Sequence, residues 1–456
     1  MQPSTTYRAK YIIVRIDLII EDGFLTTTDD LKSGQILAVG AWAEYCGPKS
    51  QAIDLGSVVL MPALINAHTH LEFSDQTQPI ASLDGSFAGW IENVIAKRSN
   101  PSTPLDSEQS DEIKRLACGQ GWQESRASGT AGLGEILAFP DLDPLHRQLA
   151  ESGDCALSVF YEVLGLGKER GGQSFAWATQ ACQNFFARMP PESVPSASSQ
   201  AGTGKSQIKP VAVDEMISSQ LVRTGPRVQV GLSPHAPYST ATTLYQKCAE
   251  YCIVHRLPLV THLAETVEEL ELLQHRTGPL VDLLDRMGIW NSNAIDARSI
   301  RQVLQSLANV RRLLLIHCNY MLRSDWCWLL QQNPDYSVVF CPQTHHYFQH
   351  STHPWPQMLQ DGVNVALGTD SRASSPTLSL WQDVVLAANS NPTVDPSNVL
   401  RMATINGATA LGIQDQVGTL QPGKRSQVLI AEPDFDSQGF DWAGLVNSPP
   451  PRWSTR

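Results

Sequence analysis

The chain has 456 residues, 42% of them hydrophobic and 17% charged, with a formal net charge of −12. This is the composition of a folded protein with a sizeable core, and its acidic balance argues against duplex nucleic acid or an anionic membrane as the main partner. A small molecule is the expected ligand.

The nine cysteines are spread from Cys46 to Cys341 without a CxxC pair, which fits neither a disulfide framework nor a cysteine-based zinc knuckle. The opening stretch MQPSTTYRAKYIIVRIDLII is broken by Arg15 and Asp17 and makes a poor signal-peptide core. No uncharged apolar run is long enough to span a bilayer. A soluble protein of the cytoplasm is the expectation.

In chain order, residues 1–60 read as short strands broken by turns: YIIVRIDLII, QILAVG, then SVVL. The pair Asp22-Gly23 is a hairpin signal. A matching turn and strand return at Gly418 to Ala431, so residues 1–60 and 411–456 are expected to pair into one small β-sandwich. Between them, residues 61–410 alternate strand-like and helix-like segments, the pattern of a parallel α/β domain. The strand-like stretches lie at Val58–Asp75, Gly129–Leu137, Ala156–Gly165, and near Val228, Leu257, Arg311, Tyr336 and Asn364. Eight such units predict a (β/α)₈ TIM barrel, whose chemistry sits at the C-terminal strand ends. Residues 189–214 are rich in Pro, Ser, Ala and Gly without periodicity and read as an insertion, either a plain surface loop or a lid.

The first barrel strand carries His68-Thr69-His70, two imidazoles on one face about 6.6 Å apart if the strand is regular. Chance alone gives roughly 0.3 such pairs in a chain with this histidine content, so the pair is informative only in company. Company exists. His262 ends the fifth strand, His317 the sixth and Asp370 the eighth, a set of ligand types suited to one Zn²⁺ or a similar divalent ion. Glu265, three residues past His262, is placed to handle protons beside such a site. His235 ends the fourth strand, and Glu72, Trp90, His345 and Arg372 lie close to strand ends, where they are candidate substrate contacts. The plain alternative is helix capping for His235, which is expected to face the pocket, and ordinary packing or pairing for the others.

The stretches MPALINAHTHLE, GLSPHAPYS, THLAET, LIHCNY, CPQTH and ALGTDS, with the PGK of the closing module, together resemble the hydrolytic deaminase branch of the amidohydrolase superfamily. That branch includes cytosine, guanine, methylthioadenosine/S-adenosylhomocysteine and aminodeoxyfutalosine deaminases and the triazine chlorohydrolases. The resemblance implies that His68, His70, His262 and Asp370 hold one divalent metal ion, Zn²⁺ first and Fe²⁺ as the other candidate. It implies catalytic roles for Glu265, His317 and Asp370 on an N-heterocyclic small-molecule substrate; a homodimer is the assembly considered. Members with two metals carry a lysine at the end of the fourth strand, where this chain has Gly231-Leu232-Ser233-Pro234-His235. Ala63 replaces the usual glycine, Ser426-Gln427 the usual Ala-Asp, and the tail after Ala431 lacks the family's clear closing strands. The expected activity is deamination of a nucleobase or adenine-type nucleoside. A triazine-type chlorohydrolase or N-dealkylase and a non-catalytic barrel are the alternatives.

Overall fold

The computed structural model describes residues 4–82, 84–99, 107–138, 155–188, 229–434 and 439–454. The insertion expected at 189–214 lies outside them.

The N-terminal strands are β1 (Thr5–Arg15), β2 (Leu18–Thr27), β3 (Ile36–Ala41), β4 (Ile53–Asp54) and β5 (Val59–Pro62). The barrel strands follow as β6 (Leu64–Thr69), β7 (Thr130–Leu137), β8 (Ala156–Val163), β9 (Gln229–Pro234), β10 (Leu259–Leu263), β11 (Leu313–His317), β12 (Ser337–Phe340) and β13 (Asn364–Leu367). The C-terminal pair is β14 (Val428–Ala431) and β15 (Arg452–Trp453).

The terminal strands do form one unit, hydrogen-bonded as a single sheet in the order β15-β14-β5-β1-β2-β3, with β4 beside β1. Along β1, Ile12 and Val14 face an apolar cluster within this unit, while Tyr11 and Ile13 face the larger core continuous with the barrel. Alternation thus lets one strand serve two cores. The β1–β2 turn falls at Ile16-Asp17, not at Asp22-Gly23. Asp22 instead takes a left-handed φ of 46° inside β2, where its carboxylate accepts from Arg8 Nε at 2.7 Å. Aspartate tolerates that conformation, so a turn signal has become a kink in a continuous strand. The tail is more ordered than its composition suggests: β15 pairs with β14, and Trp453 Nε1 donates to the Arg126 carbonyl at 2.6 Å. Ser426 and Gln427 tie the two chain ends together, donating to the carbonyls of Asp30 and Lys32.

All eight barrel strands are parallel neighbours in sequence order, β6 to β13. Strands such as β7, β8 and β11 are buried along their whole length, as expected for strands covered on both faces. Ala63 separates β5 from β6, so the Val58–Asp75 stretch splits between the two sheets instead of forming one strand. The barrel closes where β6 meets the segment after β13. Thr369 and Asp370 donate their N–H groups to the His68 carbonyl at 3.2 and 3.1 Å, and Thr69 Oγ1 donates to the Asp370 carbonyl at 2.9 Å. A Cβ on Gly368 would stand 2.9 Å from His68 Cβ, so only glycine allows this approach. The seam that closes the barrel is also where the polar residues gather.

Candidate active site

Four strand ends deliver six polar side chains to one point. His68 and His70 come from β6 and the residue after it, and His262 and Glu265 from β10 and its turn. His317 ends β11, and Asp370 follows β13. All six are buried. The ring centroids of His68 lie 4.9 Å from those of His70 and 5.0 Å from those of His262. His70 Nε2 is 3.3 Å from His262 Nε2, and Asp370 Oδ1 is 3.5 Å from His68 Nε2 and 3.9 Å from His70 Nε2. Backbone strain accompanies the convergence: Ala264, His317, Cys318 and Asp370 hold φ between 53° and 66°. Non-glycine residues in this region cost energy and persist only where surrounding structure imposes them.

The donor set fits a divalent cation. His68 is fully buried, yet neither of its ring nitrogens has a hydrogen-bond partner among the described residues. Burial depresses the pKa of His68, His70 and His317 well below the ordinary value, and brings His262 to about 4. Neutral imidazoles make no ion pair with Asp370; they present lone pairs, the form in which histidine binds metals. His262 donates from Nδ1 to the His235 carbonyl at 3.0 Å, which leaves its Nε2 bare toward the centre. Candidate ligand atoms of His68, His262 and His317, and of His68, His70 and Asp370, lie within 4.8 Å of one another. Asp370 Oδ2 is held by Ser374 Oγ at 2.7 Å and Thr344 Oγ1 at 3.1 Å, so its Oδ1 is the oxygen turned to the cluster.

Glu265 stands beside this cluster, its Oε1 3.4 Å from His317 Nε2. Burial, then the charges of Asp370 and Glu269, hold its carboxyl well above the usual carboxylate range. Its backbone is clamped from both sides. Glu269 accepts from the N–H groups of Ala264 and Glu265, each at 2.9 Å, and Asn319 Nδ2 donates to the Glu265 carbonyl at 2.9 Å. Thr266 caps the helix Val267–His275 by accepting from Glu269 N, so the helix begins immediately behind the site.

A cavity of about 670 Å³ opens from this floor. His70, His235, His262, Glu265, His317 and Asp370 line its inner end, and Glu72 and Trp90 lie on its wall. Leu283, Leu284, Met287 and Trp290 make the outer part apolar. Glu72 is paired with Arg98, which also lies 4.0 Å over the Phe73 ring. Two expected contacts are elsewhere. Arg372 is outside the cavity lining because its guanidinium is taken up by the carbonyls of Gln76, Thr77 and Pro376 and the carboxylate of Glu124. His345 likewise sits one layer back, its Nδ1 3.1 Å from Asn319 Oδ1. Both follow strand ends closely in sequence, but each turns toward its own helix-side neighbours.

Sequence reasoning missed Glu162, Arg98, Tyr238 and Trp290 on the cavity wall. Glu162 had a signal, being the one charged residue in the apolar run Ala156–Val163. Glu135 in β7 carries the same signal, however, and spends both oxygens on the N–H of Leu71. Only geometry separates them.

A parallel eight-stranded barrel with clustered histidines and an aspartate at its C-terminal mouth defines the class of barrel hydrolases with a candidate metal centre. The chain belongs to the amidohydrolase family, whose sequence model matches residues 59–441. It is 26% identical over 375 residues to the aminodeoxyfutalosine deaminase of Deinococcus radiodurans, covering 79% of this chain and 75% of the relative. It is also 26% identical over 451 residues to a 5-methylthioadenosine/S-adenosylhomocysteine deaminase of Syntrophobacter fumaroxidans, covering 92% of this chain and 85% of that one. Among solved structures, Helicobacter pylori aminofutalosine deaminase in complex with methylthio-coformycin superposes with a TM-score of 0.74 at 17% identity, over 98% of this chain and 97% of that one. The zinc complex of atrazine chlorohydrolase from Arthrobacter aurescens TC1 gives a TM-score of 0.70 at 17% identity, over 98% and 91%.

Proposed function

We propose that the protein is an aminohydrolase that deaminates an adenine-type nucleoside carrying an apolar 5′-substituent. The observation that carries this reading is the buried, raised-pKa carboxyl of Glu265 standing next to a cation-binding cluster at the floor of a deep cavity. The relatives' activities toward aminodeoxyfutalosine and methylthioadenosine support the substrate class. The cavity's size and apolar outer wall support a ligand larger than a bare nucleobase.

His68, His70, His262 and Asp370 would hold one divalent ion, most simply Zn²⁺. Such an ion, when bound, supplies Lewis acidity and lowers the pKa of water toward ~7. Asp370 Oδ1 orients the attacking water and takes its proton, while Ser374 and Thr344 keep the other oxygen in place. Glu265, protonated because it is buried, gives its proton to a ring nitrogen as water adds to the carbon bearing the amino group. His317 Nε2 holds the incoming oxygen. A proton then passes through Glu265 to the departing amine, and ammonia leaves with an oxo-heterocycle behind it.

Release of chloride or an alkylamine from a triazine ring is the second reading, supported by the barrel shared with atrazine chlorohydrolase. Glu265 favours deamination, since it can protonate both ring and leaving amine. The test is ammonia release by the purified protein across purines, pyrimidines and adenosine derivatives, with chloride release from chlorotriazines as the counter-assay. Turnover of 5′-substituted adenosines is the expected result. Activity confined to chlorinated rings would overturn it.

A further inference from the structure

Glu162, the penultimate residue of β8, lies on the cavity wall with its side chain only 8% exposed. Among the described residues it accepts no hydrogen bond. His235 Nε2 stands 4.0 Å from its Oε1, too far for a direct bond. Of the other buried carboxylates nearby, Glu135 is committed to the Leu71 N–H and Glu269 to the Ala264 and Glu265 N–H groups, while Glu72 pairs through Oε1 with Arg98 and its Oε2 has no partner among the described residues. A mostly buried carboxyl whose unpaired oxygens open only to the cavity points to a donor that arrives with the ligand. His235 is prepared in the same way. Its Nδ1 lies 2.6 Å from Ser239 Oγ and its ring packs edge-on against Tyr238, so Nε2 is the atom turned to the gap.

A carboxyl oxygen accepts in either protonation state, whereas an imidazole nitrogen donates or accepts according to tautomer. A hydroxyl satisfies both partners, and two adjacent hydroxyls satisfy them without strain on either tautomer. Resting on the nucleoside reading above, we propose that Glu162 and His235 form the subsite that reads the hydroxyls of the substrate's sugar. Glu162 accepts from one hydroxyl, and His235 Nε2 bonds the same or the neighbouring one. The pair makes the protein selective for ribosides over deoxyribosides, because removing a hydroxyl leaves the carboxylate buried and open again.

The test compares 5′-methylthioadenosine with its 2′-deoxy and 3′-deoxy counterparts on the metal-loaded protein, for wild type, Glu162→Gln and Glu162→Ala. Wild type should lose about 100-fold or more in kcat/KM when the recognised hydroxyl is missing. Glu162→Ala should lose a similar factor on the riboside and little on the deoxyriboside, and the near-isosteric Glu162→Gln, checked by thermal melting, should fall between. A riboside and deoxyriboside penalised equally by Glu162→Ala, or a wild type blind to the hydroxyls, would overturn the subsite. Calorimetric titration with inosine and 2′,3′-dideoxyinosine reads the same preference without turnover. A wild type that deaminates adenosines without regard to hydroxyls sinks only this inference. One that releases ammonia from no adenosine sinks the functional reading, and the titration then decides the subsite, with equal or absent binding counting against it.

Discussion

Glu265 and His262 are three residues apart but are asked for different things. His262 has its tautomer set by the His235 carbonyl and turns a bare nitrogen to the cluster, whereas Glu265 sits alongside with burial holding its carboxyl well above the usual carboxylate range. Glu265→Gln preserves shape and volume and should leave bound metal unchanged while kcat drops about 10²–10⁴-fold. His262→Ala should lose both metal and turnover, because it removes a donor from the cluster. Metal content by mass spectrometry beside steady-state kinetics separates the two. A fully active Glu265→Gln would remove the proton-transfer role.

At the scale of elements, the turn between β10 and the helix Val267–His275 depends on Glu269, whose carboxylate holds two consecutive N–H groups where Ala264 adopts a left-handed backbone. Glu269→Gln replaces one accepting oxygen with a donor, leaving a buried N–H unpaired. A loss of about 1–3 kcal/mol in unfolding free energy is expected, with reduced kcat because Glu265 loses its anchor. Denaturant melts and kinetics on the same preparation would show both. Further round the barrel, Asp361 joins the helices Arg323–Gln332 and Trp355–Gln360, accepting from Arg323 Nε at 2.9 Å and Trp326 Nε1 at 2.9 Å. Arg323, then Trp326, hold its carboxyl below the usual range. A depressed carboxyl pKa adds stability above the unfolded value near 4 and loses it as pH falls. Asp361→Asn should therefore melt below wild type at pH 7, and the gap should narrow below pH 4. A gap independent of pH would mean that the charge contributes nothing.

For the molecule as a whole, the candidate cation cluster sits on the seam between the first and last barrel strands, where Asp370 N–H donates to the His68 carbonyl and the Asp370 carbonyl accepts from the Thr69 hydroxyl. An ion that binds the folded chain alone stabilises it by mass action, about 2.7 kcal/mol at a hundredfold excess over Kd. Chelation should lower the melting temperature and re-addition of Zn²⁺ should restore it, even without substrate. A melting temperature indifferent to chelator would argue against an ion bridging the seam. The terminal sheet makes the same point by another route, since β14 lies between β5 and β15 and so joins the two ends of the chain.

Much of this was legible in one dimension. The eight apolar runs announced parallel strands because strands covered on both faces tolerate few polar residues, and His68, His70, His262, His317 and Asp370 stood out because imidazoles and carboxylates are rare at the ends of such runs. Local chemistry misled where a residue has two uses. Asp22-Gly23 suits a turn and a kinked strand equally, and Arg372 lies one residue from the cluster's neighbourhood yet turns to backbone carbonyls. The tertiary structure alone decided that Glu162 is open while Glu135 is spent, that His345 is one layer back, and that the barrel closes at its own site. Each of these depends on which strand lies beside which and on whether a partner reaches a buried polar atom, and that information belongs to contacts between segments distant along the chain.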